Sequence, residues 1–379
     1  MNKFKYFFIL LITATALISC NKDDDDKVET VPLRDYQEQY LKDNDSILKY
    51  LKTNYIEEVT ADFDVKITKI PAGGTQKSIF DQTQYPLLTR KVYNDNIYYT
   101  VYYLVLNEGV GEAPCNYDNI YTSYVGTLLD GTVFDTSNNF GRSFSLDGLG
   151  SNGVFVDGWK EIFPKFKSGK ANPVNADGTI TYSNFGAGMM FLPSGLAYYG
   201  GGSGAIKSYT PIAFSFKLFD IQRLDHDGDG IFDINEDING DGYVYDFRNK
   251  ELYANPPAEL IDDTDGDGLA NFIDIDDDGD GYTTYLEITK PTAEVGGTFG
   301  PSKYYPFEAF VVVDDPATPN TNEALNSEPK GIPAFLSVGT DPVTGKPINV
   351  YDYTTSGRLK IHLDKDHNTT KVSTVTAKK

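Results

Sequence analysis

Carboxylates recur between residues 225 and 287 at spacings that suit a hard divalent cation. One unit places Asp225, Asp227 and Asp229 at positions 1, 3 and 5, Gly230 at 6, Ile231 at 7, Asp233 at 9 and Glu236 at 12. A second offers Asp237, Asn239, Asp241 and Gly242, but Arg248 stands at position 12 and Asp246 is the substitute acid. A third offers Asp263, Asp265, Asp267, Gly268, Asn271 and Asp274; a fourth, Asp276, Asp278, Asp280, Gly281, Thr284 and Glu287. Calcium takes about six to eight oxygen ligands in a flexible shell. Three side chains converge where glycine permits a tight turn, the carbonyl at 7 joins them, and an acid at 12 closes the shell. An acidic run is ordinarily a solvated linker. Fixed positions, with Gly at 6 and an apolar residue at 7, set this one apart.

Flanking helices have no room here, because Glu236 is followed directly by Asp237 and Asp274 is two residues before Asp276. Back-to-back units of this kind resemble thrombospondin type 3 repeats, which implies a calcium-organised stalk with a structural, spacing role. The formal charge of the chain is −22, and residues 225–287, with 20 acidic and two basic side chains, carry −18 of it. So acidic a chain cannot bind nucleic acid through counterion release. The acidity is a local property of the repeats, and metal binding there would be folding free energy.

A second group of residues suggests chemistry without a nucleophile. The chain reads YVGTLLDGTVFDTS over 124–137, FVDGWKE over 155–161, FLPSGLAYYG over 191–200 and TPIAFSFKLFDI over 210–221. Asp130-Gly131 is a hairpin turn signal between two alternating runs. In this order the four pieces resemble the FKBP-type peptidyl-prolyl isomerases, over residues 97–222. The resemblance implies an α+β fold, an antiparallel sheet wrapped on a short helix from about Lys160 to Phe166. It implies an aromatic pocket of Tyr124, Phe134, Asp135, Val156, Trp159, Tyr198, Ile206 and Phe214, with Trp159 as its floor. Tyr199 competes with Tyr198, and Phe140 and Phe144 both qualify as a further pocket aromatic. Gly169 to Gly188 is longer than the family pattern and reads as an inserted hairpin turning at Asp177-Gly178. Ile206-Lys207-Ser208 replaces the family's Ile-Pro-Pro. The implied partners are proline-containing polypeptides, and the implied reaction is rotation about X-Pro bonds.

The elements around these groups follow from periodicity. Leu33, Tyr36, Tyr40, Ile47, Leu48 and Leu51 predict a helical segment over 28–57, with Pro32 in its first turn and a break at Asp43-Asn44-Asp45. Phe63, Val65 and Ile67 alternate as in a strand, and Ile97 to Leu106 suits a buried strand. The expected organisation is a helical and strand segment over 33–96, the isomerase-like domain over 97–222, the repeats over 223–288 and a small β-rich module over 289–379. In that module Tyr304, Tyr305, Phe307, Phe310 and Val311 to Val313 suggest strands, and Leu359 to Leu363 a last element.

At the N-terminus, Lys3 and Lys5 precede an apolar run from Phe7 to Ile18, too short to span a bilayer. Residues 1–19 read as a signal peptide. Leu17-Ile18-Ser19-Cys20 resembles a bacterial lipobox, which implies lipidation at Cys20 and a membrane anchor. The following Asn21-Lys22 and Asp23 to Asp26, in an acidic linker over 20–32, resemble the surface-export signal of Bacteroidetes lipoproteins. The expectation is an outer-membrane lipoprotein displayed at the surface. With Cys20 lipidated only Cys115 remains, so the mature chain forms no internal disulfide. Two other functions compete with an isomerase: a non-catalytic peptide-binding module and an adhesin-like stalk on the same pocket fold.

Overall fold

The computed structural model of the chain describes residues 32–148, 156–292, 331–345, 347–353 and 357–366, together with 153, 295, 302–305 and 355. The chain divides into Met1–Arg34 and Asp35–Lys379, and every element below belongs to the second unit. The signal segment, Cys20, Phe307, Phe310 and Val311 to Val313 lie outside the described residues.

Helix α1 runs Tyr36–Thr53, and its N-cap is Asp35, whose carboxylate accepts from the Glu38 N–H at 2.9 Å. The start is later than expected, so Pro32 precedes the first turn. The helix also continues unbroken through Asp43-Asn44-Asp45, against expectation. Asp43 is buried, and its carboxylate accepts from Gln39 Nε2 at 2.7 Å and from Ser194 N and Oγ at 2.8 and 2.5 Å. Contacts 151 residues away override the turn preference of an Asp-Asn-Asp run. Replacing Asp43 with Ala leaves the Ser194 N–H buried without this acceptor. The expected loss is about 1–3 kcal/mol in a denaturant titration.

The chain then forms the hairpin β1 (Asn54–Val59) and β2 (Val65–Lys69). Phe63 sits in its turn at φ 62°, so the strand alternation begins at Val65 rather than at Phe63. The main sheet has seven antiparallel strands: β3 (Leu87–Asn94), β4 (Ile97–Asn107), β5 (Asn119–Leu128), β6 (Val133–Thr136), β7 (Arg142–Ser145), β10 (Gly186–Leu192) and β11 (Ile212–Gln222). Their order is β3-β4-β10-β11-β5-β6, with β7 also on β5. The sheet therefore starts before residue 97. Asp95 and Asn96, at φ 51° and 59°, form the two-residue turn that joins β3 to β4. Asp130-Gly131 turns the chain from β5 to β6 as expected, with Gly131 at φ 90°. The inserted hairpin is present as β8 (Lys170–Ala171) and β9 (Tyr182–Ser183).

Every residue of central β10 is buried, because both faces of the sheet are covered. Met190 and Leu192 face the cluster that contains Trp159, while Met189 and Phe191 face Ile47 and Leu51 of α1. The short helix α2 spans Asp157–Ile162 and passes into a 3₁₀ turn over Phe163–Lys165. It starts earlier than expected, so Trp159 lies within the helix rather than before it.

Beyond β11 the chain forms loops, 3₁₀ turns, α3 (Thr284–Glu287) and the hairpin β12 (Ala334–Thr340) and β13 (Pro347–Asp352). Leu359 to Leu363 ends in a 3₁₀ turn, Ile361–Leu363. Two features depart from a free stalk followed by a separate module. Tyr243, Val244 and Tyr245 lie against the isomerase-like sheet and helix through Asn116, Arg90 and Glu161. Ile231 of the first repeat shares a buried cluster with Ile288, Tyr305, Ile332 and Ile361. Among the described residues no helix is long and apolar enough to cross a membrane.

Candidate functional site

The aromatic pocket assembles where β5, β6, β11 and α2 meet. Trp159 is 3% exposed and lies 5.1 Å from the Tyr124 ring, 5.4 Å from Phe144, 5.2 Å from Phe163 and 5.2 Å from Phe214, between ring centroids. The edge-to-face angles of the Tyr124, Phe144 and Phe214 contacts suit the aromatic quadrupoles. Phe134 extends this wall, 5.5 Å from Phe214. Gly126 makes that approach possible, since a Cβ there would come within 2.6 Å of the Phe134 ring and 2.8 Å of Phe214.

All eight expected pocket residues come together. Val156 and Ile206 are buried in the same cluster, and Tyr198 packs on its margin. Asp135 is exposed and accepts from Tyr124 Oη at 2.7 Å. Burial, followed by the hydrogen bond and charge of Asp135, holds the Tyr124 phenol well above its ordinary range. Burial and Asp135 also raise Tyr198. Both phenols therefore stay protonated donors at neutral pH.

The two ambiguities are resolved. Tyr199 turns away at φ 39° and stacks on Tyr36 at 4.3 Å, so Tyr198 is the pocket tyrosine. Phe144 packs on Trp159 and Tyr124, whereas Phe140 is 73% exposed. The loop after Tyr199 closes through paired bonds between Ser203 and Ile206, at 2.9 and 2.8 Å, which places the Ile206 side chain inward.

The four repeats fold alike. In each, the position-1 Asp accepts from the N–H of Gly at position 6: Asp225 from Gly230, Asp237 from Gly242, Asp263 from Gly268 and Asp276 from Gly281. The position-5 Asp accepts from the N–H at position 7. Glycines at positions 4 and 6 all take positive φ, between 66° and 103°, so the loop needs two glycines rather than one.

Position 9 serves the loop, not the centre. Asp233, an expected ligand, accepts from the His226 N–H at 3.1 Å and lies 2.7 Å from its Nδ1, so both of its oxygens are engaged within the loop. Asn271 and Thr284 hold Thr264 and Asp277 in the same way. Asp246 is also engaged elsewhere, in a two-bond pair with Arg248 at 2.8 and 2.7 Å, and does not substitute at position 12.

Ligand oxygens of Asp225, Asp227 and Asp229 lie within 4.8 Å of one another, as do those of Asp263, Asp265 and Asp267, and of Asp276, Asp278 and Asp280. Asp229, Glu236 and Asp277 form a further such group, so the fourth repeat contributes Asp277 to the first. Sequence spacing missed Asp277 because the chain between must fold back. Buried oxygens of Asp227, Asp229, Glu236, Asp277, Asp278, Asp280 and Glu287 have no protein donor. Desolvation and neighbouring carboxylates push Asp229 up to about 7, Asp227 to about 8, Asp277 and Glu287 to about 9 and Glu236 to about 12. Buried anions without donors are costly unless a cation compensates them. The donor set, all oxygen and mostly carboxylate, fits calcium.

Two stretches of the chain match known families. A family model described as FKBP-type peptidyl-prolyl cis-trans isomerase matches residues 111–200, and one described as BamM C-terminal matches residues 226–320. FK506-binding protein 1 of Dictyostelium discoideum is 33% identical over 90 residues, covering 24% of this chain and 82% of that protein. The FKBP-type isomerase FkpA of Escherichia coli (strain K12) is 31% identical over 122 residues, covering 32% of this chain. The match spans only 37% of FkpA's own length. A crystal structure of FkpA from Escherichia coli aligns at 30% identity and TM-score 0.26, over 32% of this chain and 48% of that one.

Proposed function

The chain belongs to the FKBP-type peptidyl-prolyl cis-trans isomerase family, and we propose that it accelerates rotation about X-Pro bonds in polypeptide clients. The observation that carries this is the aromatic cluster around Trp159, flanked by the Tyr124–Asp135 pair and Tyr198. The barrier to prolyl rotation is about 20 kcal/mol, because resonance stiffens the C–N bond. At the twisted transition state that resonance is lost, and the amide is less polar. An apolar pocket that holds the proline ring and strips water from the preceding carbonyl binds the twisted form better than the planar one. No bond is broken and no proton moves. Asp135 and Tyr198, at the rim, orient the peptide by hydrogen bonding.

Phe134→Ala tests this. Removing that wall forfeits about 1.5–3 kcal/mol of apolar contact, so kcat/KM should fall roughly 10- to 100-fold in a prolyl-peptide isomerisation assay. A background rate in the folded wild-type chain would instead leave a peptide-binding module.

The repeats would hold calcium: Asp225, Asp227, Asp229, the Ile231 carbonyl, Glu236 and Asp277 in the first; Asp237, Asn239 and Asp241 in the second. Asp263, Asp265, Asp267 and Asp274 would serve the third, and Asp276, Asp278, Asp280 and Glu287 the fourth. Calcium there supplies charge compensation, with no part in the rotation. The N-terminal sequence supports a lipid anchor at Cys20 and residence at the outer membrane. Metabolic labelling with a fatty acid, lost in Cys20→Ala, tests the anchor.

A further inference from the structure

The second repeat lacks an acid at position 12, where Arg248 stands, and Asp246 is held by that arginine. Asp262 reaches the loop from further along the chain. It is 1% exposed, and its Oδ1 accepts from the Ile238 N–H at 3.2 Å and from Asn239 Nδ2 at 3.1 Å. Both donors belong to the first turn of the second repeat. Its Oδ2 is buried with no protein donor. A desolvated carboxylate oxygen left without a donor calls for a proton, a water or a cation, and beside Asp237, Asn239 and Asp241 a cation fits the donor set.

The same repeat touches the isomerase domain. Asp241 Oδ1 accepts from the Tyr243 N–H at 2.9 Å. Tyr243 Oη donates to the Glu161 carbonyl at 2.7 Å, and Asn116 pairs with both backbone groups of Val244, at 2.6 and 2.9 Å. Tyr245 Oη lies 3.1 Å from the Glu161 carboxylate. Glu161 is two residues beyond Trp159 on α2.

We propose that Asp262 closes the second cation site with Asp237, Asn239 and Asp241, and that a cation bound there fastens the Tyr243–Tyr245 strap onto the helix carrying Trp159. The inference rests on the calcium reading above. It makes the strap's order, and through it the pocket floor, depend on one of the four sites.

The sole tryptophan of the chain is Trp159, so its emission reports this helix directly. Calcium chloride is titrated into the full-length, chelator-stripped chain, with bound calcium and tryptophan emission both measured. Asp262→Asn and Asp237→Asn should each bind one ion fewer than wild type and lose part of the emission change. Asp267→Asn, in the third repeat, should also bind one fewer yet keep that part. Wild-type stoichiometry in D262N, beside a lost ion in D237N, would overturn the role of Asp262. A lost ion in both with wild-type emission would overturn the fastening. A wild-type chain that binds no calcium would instead sink the calcium reading itself. If D262N does not fold, Asp262→Glu moves the carboxylate by one methylene. One site should then weaken at least about ten-fold, or about 1.4 kcal/mol, and unchanged affinity at all sites would overturn the proposal.

Discussion

Stripping divalent cations from the folded chain should lower its melting temperature, and the drop should be larger at about pH 8 than at about pH 5. The direction follows from the buried carboxyls. Asp229, Asp227, Asp277 and Glu287 are raised to about 7, 8, 9 and 9 in the metal-free fold. In an unfolded chain such groups titrate near about 4. Between those values the folded state binds more protons than the unfolded one, so metal-free stability falls as pH rises. It is fully present only below about pH 4, and is lost progressively through about pH 7 to 9. Calcium reverses the slope, because protons compete with it for the same oxygens. Each saturated site adds about 2.7 kcal/mol at a hundred times its dissociation constant. Calorimetry in calcium and in chelator, across this pH range, measures both slopes. Superimposable melting curves at about pH 8 would refute the idea that these carboxylates exist for a cation.

What could be read from the sequence was local chemistry. The four repeats are specified by spacings of two and by glycine, so the turn at position 6 was legible, while the second glycine at position 4 and the loop contacts of position 9 were not. The pocket was legible because four short strings, in order, carry its walls. The rest depends on long-range contact. Asp277 and Asp262 join sites from other parts of the chain, which no fixed spacing reports. The Asp-Asn-Asp run in α1 reads as a break until Asp43 meets Ser194. No spacing in the second repeat reports that Tyr245 meets Arg90 and Glu161, 155 and 84 positions away.

That last junction predicts the largest single-residue effect on stability. Arg90 Nε lies 2.8 Å from Glu161 Oε2, its Nη2 lies 2.8 Å from Tyr245 Oη, and its guanidinium sits 3.3 Å from the Tyr243 ring centroid. Side-chain exposures of 13% and 7% make this a desolvated pair. Burial pushes the Glu161 carboxyl up, and the Arg90 charge opposes that. Arg90→Met therefore leaves a buried carboxylate without its counter-ion, at a cost of about 3–5 kcal/mol. Removing both charges, as Arg90→Met with Glu161→Met, should recover most of that loss, since paired apolar side chains replace a buried ion pair at little net cost. The pH signature separates this from lost packing. In R90M, Glu161 keeps a folded value above its unfolded one, so the variant's stability falls as pH rises and its deficit narrows toward about pH 4. A packing defect has no such slope. Denaturant titrations in saturating calcium, for the single and double variants, make the comparison. A single-variant cost below about 1 kcal/mol, the range of an exposed pair, would mean that solvent reaches Glu161 and that the strap does not seal this face of the pocket helix.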